Sequence, residues 1–140
     1  MGRLVFWLVT VGAILGACFT FNATPIPNEY ASVAPPDTLL NSADAIDNGR
    51  VLFLANCAPC HGVRGDGQGT TQPTFGPPPA DFTDRARMQP LSPQYLFWRV
   101  SEGGRVEPFR TQGSIMPAWK YQLTAEQRWQ VIAYIRTLAR

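Results

Sequence analysis

The chain has 140 residues, about the length of one domain, and its 13 Pro and 12 Gly favour short helices joined by structured loops over a long helical bundle. A formal net charge of +2 is too small to indicate a nucleic-acid partner. With 3 Cys and 1 His, the sequence cannot supply the four well-spaced ligands of a structural zinc site.

The first predicted element is an uncharged apolar run from Leu4 to Phe21, directly after Arg3. It lies near the lower length limit for a membrane-spanning helix and also has the layout of a secretory signal. The stretch Leu15-Gly16-Ala17-Cys18 resembles the lipobox of bacterial lipoproteins, in which cleavage leaves Cys18 as the lipid-bearing first residue. The alternative is an uncleaved anchor. Both interpretations assign residues 1–21 to a signal or anchor and export the rest of the chain across a bacterial cell membrane.

Residues 22–41 are predicted to be a linker, because prolines at positions 25, 27, 35 and 36 stand among small and polar residues. Proline removes backbone donors and favours extended chain, which predicts a semi-rigid spacer that holds the next domain off the membrane. Packing along a partner protein is the alternative. The folded domain is expected over residues 42–140.

Three helices are predicted in this domain, over about residues 43–56, from residue 93 to 102, and from residue 124 towards the C-terminus. Apolar side chains recur at helical spacing in each, and no alternating strand pattern is present. The second helix stops at Gly103-Gly104. The predicted N-caps are Asn41 or Ser42, then Ser92, then Thr124 in a capping box with Gln127.

The motif Cys57-Ala58-Pro59-Cys60-His61 matches C-x-x-C-H, the signature of covalent c-type haem attachment. Two thiols at this spacing add to the two vinyl groups of the porphyrin, and His61 is then carried beneath the iron as an axial ligand. A thioredoxin-like site would need a preceding strand, whereas a helix is predicted there. A zinc site lacks a second ligand pair. The motif therefore predicts one covalently bound haem c on Cys57 and Cys60.

His61 is the only histidine of the chain, so a second axial imidazole from the same chain is impossible. The remaining candidates for the sixth iron ligand are Met116, Met88, Lys120, the N-terminal amine, or no ligand at all. Met116 stands in a Met-Pro pair shortly before the last helix, whereas Met88 lies in a charged stretch. Among the arginines, Arg85, Arg99 and Arg105 are candidates for pairing with haem propionates.

Residues 43–139 resemble a monohaem class I cytochrome c. A helix with Gly49 and Phe53 leads into the C-x-x-C-H motif, and residues 131–138 match the closing helix of that family. The resemblance implies an all-α fold with helices around one haem, in which the first and last helices cross at Gly49. It also implies that Tyr134 or Ile135 approaches this glycine closely.

The same resemblance assigns roles around the haem. The loop that contains Met116 corresponds to the distal ligand loop, which implies Met116 as the sixth iron ligand. The segment from Gly76 to Phe82 resembles the proximal wall, where a proline carbonyl accepts a hydrogen bond from His61. Pro78 is the candidate, although its two neighbouring prolines fit equally well by sequence. Trp119 is expected to contact the haem, and Trp119 or Trp129 could bind a propionate.

An iron with both axial positions filled predicts one-electron transfer. The sequence shows no acid–base pair or nucleophile that would indicate an enzyme. The segments 77–83, 116–119 and 128–138, together with the lipobox, are similar to the small monohaem subunit of bacterial alternative complex III, which oxidises quinol. The resemblance implies a subunit of such a respiratory or photosynthetic complex, with other haem proteins as partners. The alternatives are a free lipid-tethered carrier and, if Met116 were displaced, a five-coordinate haem sensor or peroxidase.

Overall fold

The computed structural model describes residues 25–139, and all regular secondary structure in this range is helical. The predicted signal or anchor over residues 1–21 and the candidate lipidation site Cys18 lie outside it. None of the helices between residues 25 and 139 combines the length and apolar character needed to cross a bilayer. The helices are α1 (Asn28–Ala31), α2 (Asp37–Leu40), α3 (Ala43–Asn56), α4 (Ala58–His61), α5 (Arg85–Met88), α6 (Pro93–Glu102) and α7 (Ala125–Leu138), with 3₁₀ turns at Gly103–Arg105 and Trp119–Tyr121.

The three helices predicted from sequence are confirmed as α3, α6 and α7, and each begins at a side-chain cap. Ser42, rather than Asn41, caps α3 by accepting a hydrogen bond from the Ala45 amide at 3.3 Å. Ser92 accepts from the Tyr95 amide at 3.1 Å. Thr124 and Gln127 form the predicted reciprocal capping box at the start of α7. Each cap satisfies backbone N–H groups that have no partner inside the helix.

Helices α3 and α7 cross at Gly49, as predicted. A Cβ atom on Gly49 would lie 1.9 Å from the Gln130 carbonyl oxygen and 3.1 Å from the Tyr134 Cβ. The backbone of α7 therefore occupies the space that any other residue would need. This crossing aligns the first and last helices of the domain, and Phe53 and Ile132 are completely buried beside it.

The segment of residues 25–41 differs from the expected extended spacer. Helix α1 packs against α6, and α2 packs against α7. The Tyr30 ring lies 6.2 Å from Phe97, and its hydroxyl donates a hydrogen bond to Glu102. Leu39 and Leu40 are partly buried against the core. Pro27 and Pro36 each stand immediately before a helix, α1 and α2 respectively. The apolar side chains of this segment are buried against the domain, which favours packing over an extended chain.

Tyr30→Phe is expected to lower the free energy of unfolding by about 0.5–1 kcal/mol, because the ring stays while the hydroxyl that donates to Glu102 is lost. Burial, then the hydrogen bond to Glu102 and its charge, raise the pKa of Tyr30 from 10.0 to about 12. A phenol whose pKa is raised on folding stabilises the protein fully below the unfolded pKa, and this stability is lost as the pH rises through the folded pKa. As the pH rises from the unfolded pKa to the folded pKa of Tyr30, the wild type should therefore lose the stability that this hydroxyl contributes. Tyr30→Phe should show no such loss.

Denaturant unfolding at neutral pH and at alkaline pH measures this difference. Tyr121→Phe is the matched control, because Tyr121 is 68% exposed and is expected to tolerate loss of its hydroxyl. Equal alkaline losses of stability in the wild type and in Tyr30→Phe would contradict the assigned role of Tyr30.

Candidate haem site

A cavity of about 400 Å³ opens between α3, α6 and the long loops, and its size lies in the range of small-molecule and cofactor sites. Most of its lining is apolar. The structure brings six residues that the sequence assigns to the haem site to this cavity, which is lined by Cys57, Cys60, His61, Pro78, Met116 and Trp119. Trp129 does not line it and instead stacks on Phe97, with 4.2 Å between the ring centroids.

Helix α4 is a single turn that follows α3 directly and presents the C-x-x-C-H motif. The His61 amide donates to the Cys57 carbonyl oxygen at 2.8 Å, so Cys57, Cys60 and His61 share one side of this turn. Both cysteines are free and half-buried. Burial, followed by the neighbouring Cys60, raises the pKa of Cys57 to about 12, which keeps its thiol protonated at neutral pH. Two adjacent thiols on one cavity wall suit addition to a pair of vinyl groups.

The His61 ring is fixed by two contacts. Its Nδ1 lies 3.1 Å from the Ala80 carbonyl oxygen, and because a carbonyl can only accept, Nδ1 carries the proton. The ring also stacks on Phe82, with centroids 4.6 Å apart and planes 19° from parallel. Burial lowers the pKa of His61, and the Ala80 hydrogen bond opposes this shift. A neutral imidazole with Nδ1 protonated leaves the Nε2 lone pair for a metal.

The prediction that Pro78 accepts the His61 hydrogen bond is wrong, since the acceptor is Ala80. The segment is docked by the Phe82 amide, which donates to the Gly65 carbonyl oxygen at 2.7 Å and brings residue 80 under the imidazole. Pro78 is exposed and lines the cavity from its rim. The sequence indicated a proline within residues 76–82, whereas Phe82 at the end of that segment is the residue whose docking positions Ala80.

Gln72 is a second residue that sequence reasoning missed. Its side-chain amide lies within hydrogen-bond distance of three carbonyl oxygens, those of Cys60 at 3.3 Å, Gly67 at 3.2 Å and Gly69 at 2.9 Å. A Cβ on Gly69 would lie 2.2 Å from the Pro59 carbonyl oxygen, so the loop doubles back tightly onto α4. Gln72 thereby ties the loop that follows the motif to the motif itself.

The segment that carries Met116 is held against the end of α6. The Gly104 amide donates to the Met116 carbonyl oxygen at 2.8 Å. A Cβ on Gly103, whose φ is +58°, would lie 2.2 Å from the Pro117 carbonyl oxygen. Gly103 and Gly104, which end α6, therefore also leave room for the backbone of the Met116 segment. Their role in stopping the helix does not predict this close contact. Met116 itself is half-buried.

Met88 also lines the cavity, although charged residues surround it in the sequence. The Asp84 side chain caps α5 by accepting from the Arg87 amide at 3.1 Å, and this single turn points Met88 inward, where it is 6% exposed. Lys120, another candidate ligand, is not among the lining residues. It forms an ion pair with Glu102 at 2.8 Å. Two thioethers thus reach the cavity.

The donor set fits haem c. The cavity holds one fixed imidazole, two thioethers and a pair of thiols at the attachment spacing, in an apolar lining suited to a porphyrin face. A porphyrin provides the four equatorial nitrogen ligands itself, so one or two axial side chains complete the coordination of its iron.

Comparison with known proteins agrees with this geometry. The Cytochrome c family model matches residues 46–139. No curated protein matches the sequence. A reducing HAO-like protein complex of Kuenenia stuttgartiensis contains a similar chain, at 23% identity and a TM-score of 0.58, with 77% of this chain and 47% of that chain covered. Cytochrome cL of Methylophaga aminisulfidivorans is similar at 22% identity and a TM-score of 0.51, with 70% and 57% covered.

This chain therefore spans about half the length of both solved structures, and the likeness to them concerns the fold. The family match covers two thirds of the sequence and includes the attachment motif, the proximal wall, the Met116 segment and α7. The chain belongs to the cytochrome c family, and it is an electron carrier with one covalently bound haem c.

Proposed function

We propose that this cytochrome is attached to a bacterial cell membrane, faces the extracytoplasmic side, and passes single electrons within a quinol-oxidising complex, with His61 and Met116 as the axial ligands of its iron. The observation that carries the proposal is the joint placement of the C-x-x-C-H motif and the Met116 thioether on one apolar cavity. The bound haem supplies the one-electron chemistry. The chain holds its ligands, excludes water and leaves one edge accessible to a partner.

Position supports Met116, rather than Met88, as the sixth ligand. Met88 also borders a second, smaller cavity together with Arg136 and Ala139 at the end of α7. It therefore fills the seam between α5 and α7, as methionines in cores commonly do. Met116 lines the haem cavity and does not border the second one.

The C-terminal end of α7 lies beside the proximal turn. A Cβ on Gly65 would be 2.6 Å from the Leu138 side chain and 3.5 Å from Phe82, which stacks on His61. Met88 borders the second cavity at this same end of α7. Met116 lies on a separate segment that is held against the end of α6 by the Gly104 amide. The two thioethers therefore reach the haem cavity from different elements.

Support for a complex comes from two directions. The sequence resembles the small monohaem subunit of alternative complex III, and the solved structure from Kuenenia stuttgartiensis is described as a protein complex. In mild detergent, the native protein is expected to copurify with other haem proteins and with quinol-oxidising activity. A lone species of the chain's own mass would favour the free lipid-tethered carrier.

Cys18→Ser is expected to block lipidation, so that the precursor keeps its apolar segment and migrates as a larger species. Lipid chains on Cys18 would anchor the domain, and several chains hold far better than one. Intact-mass spectrometry and metabolic labelling with a fatty acid measure the change, with Thr10→Ser as a control in the same segment. Mature wild-type protein that begins at Met1 and carries no lipid would overturn the lipoprotein assignment and leave an uncleaved anchor.

A further inference from the structure

The carboxylate of Glu102 joins three segments that are far apart in the sequence. It stands at the end of α6, and 13% of its side chain is exposed. The Tyr30 hydroxyl of α1 donates a hydrogen bond to its Oε1, and the Lys120 Nζ donates to the same oxygen at 2.8 Å. A largely buried carboxylate with two such donors is held in one position.

Lys120 belongs to the 3₁₀ turn that follows the Met116 segment. Trp119, the first residue of this turn, lines the haem cavity. Just beyond Glu102, the Gly104 amide donates to the Met116 carbonyl oxygen at 2.8 Å. The chain around Met116 is therefore held against the end of α6 at two points, by this backbone contact and by the ion pair of Glu102 with Lys120.

Tyr30 connects the same carboxylate to residues 25–41. Its ring packs near Phe97 of α6, with 6.2 Å between the ring centroids, while its hydroxyl reaches Glu102. Burial opposes ionisation of Glu102, but the hydrogen bonds from Lys120 and Tyr30 outweigh it, so the pKa of Glu102 is lowered. The acceptor that the two donors share is thus an anion at neutral pH, which strengthens both hydrogen bonds.

We propose that Glu102 is a positioning residue for Met116. Through Tyr30, the packing of residues 25–41 on α6 strengthens this hold. The inference rests on the proposed role of Met116 as an axial ligand. When the N-terminal segment leaves α6, Glu102 loses one donor and its ion pair with Lys120 becomes more exposed to water and weaker. The Met116 segment then opens more readily, although no residue of 25–41 lines the haem cavity.

Cyanide binding to the ferric, haem-loaded protein tests this proposal, because cyanide occupies the sixth position only while Met116 is displaced. Its apparent affinity rises with the fraction of molecules in the open state. Tyr30→Phe and Glu102→Gln should each bind cyanide more tightly than the wild type, by about 2- to 10-fold, the change that loss of one hydrogen bond produces. Tyr121→Phe is the matched control and should bind like the wild type, because Tyr121 is 68% exposed.

A double-mutant cycle separates this coupling from a general loss of stability. In a Lys120→Ala background, Tyr30→Phe should raise the cyanide affinity less than it does in the wild type, because the ion pair through which Glu102 holds the turn is already absent. Independent effects of the two substitutions would multiply and would show that Tyr30 does not act through this ion pair.

Amide hydrogen exchange gives a readout that does not depend on the iron ligand. The Gly104 amide, which donates to the Met116 carbonyl oxygen, should exchange faster in Tyr30→Phe relative to the amide of Ile132. Ile132 is completely buried in α7, so its exchange reports global unfolding rather than local opening.

Wild-type cyanide affinity in Glu102→Gln would overturn the positioning role of Glu102. Wild-type affinity in Tyr30→Phe, or an equal effect of Tyr30→Phe with and without Lys120, would overturn the coupling to residues 25–41. A wild type that binds cyanide as tightly as Met116→Ala does would instead contradict the ligand role of Met116. In that case the exchange of the Gly104 amide decides whether Tyr30 still holds the Met116 segment, and an unchanged exchange ratio would overturn that hold as well.

Discussion

Met116→Ala is expected to retain covalently attached haem, to open the sixth coordination position and to lower the reduction potential. The thiols of Cys57 and Cys60 are untouched, so attachment continues. A thioether favours ferrous iron, and its replacement by water removes that preference. Because axial ligands shift haem potentials over a range of about 0.8 V, a fall on the order of 0.1 V or more is expected. Absorption spectra recorded during a redox titration measure both changes.

Met116→His should keep six-coordination and also lower the potential, since imidazole stabilises ferric iron better than a thioether does. Met88→Leu is the matched control, because it removes the second thioether of the cavity while keeping an apolar side chain of similar size. It is expected to keep the wild-type potential and spectrum.

Binding of carbon monoxide distinguishes an electron-transfer haem from the sensor or peroxidase alternative. The reduced wild type should bind it poorly, and reduced Met116→Ala should bind it stoichiometrically. Rapid stoichiometric binding by the wild type would indicate a five-coordinate haem. A wild-type spectrum and potential in Met116→Ala, with their loss in Met88→Leu, would transfer the ligand role to Met88.

Gly49→Ala is expected to destabilise the domain by about 3 kcal/mol or more, the upper end of what overpacked sites cost. In a helix with free space, the same change would stabilise by roughly 0.5–1 kcal/mol, so the expected sign is reversed by packing. The new Cβ would meet the Gln130 carbonyl oxygen at 1.9 Å, and a backbone group inside α7 cannot rotate away. The α3–α7 crossing must separate.

Denaturant unfolding of the haem-loaded protein measures this loss, with Asn48→Ala as the control. Asn48 is the exposed neighbour of Gly49 on α3, and its replacement by a better helix former should leave stability unchanged or slightly raised. A stability of Gly49→Ala equal to that of the wild type would contradict the close crossing.

The features predicted correctly from sequence are those encoded over a few neighbouring residues. The caps at Ser42, Ser92 and Thr124 each involve an amide three residues away, and the C-x-x-C-H motif occupies one helical turn. Gly49 was placed correctly because the family resemblance supplied its partner helix. In each case the local pattern and the tertiary structure agree.

The features that sequence reasoning missed depend on distant contacts. The Ala80 carbonyl accepts from His61 across 19 positions, because Phe82 is docked on Gly65 and not because of any preference of alanine. Met88 stands in a charged stretch of the sequence, yet one capped turn buries it. The Tyr30 hydroxyl donates a hydrogen bond to Glu102, which lies 72 residues away in the sequence. A pattern of prolines indicates where chain direction changes, but it does not reveal which surface the chain then meets.

The packing of residues 27–40 onto α6 and α7 also bears on the proposed membrane attachment, because it sets how much of this segment could act as a free tether. As an unbound extended spacer, residues 25–41 would reach roughly 60 Å, at about 3.4 Å per residue. Because the segment packs on the domain through Tyr30, Leu39 and Leu40, it does not contribute this length as a free spacer. Under the proposed attachment to a membrane, these residues therefore add little to the distance over which the haem domain can meet its partners.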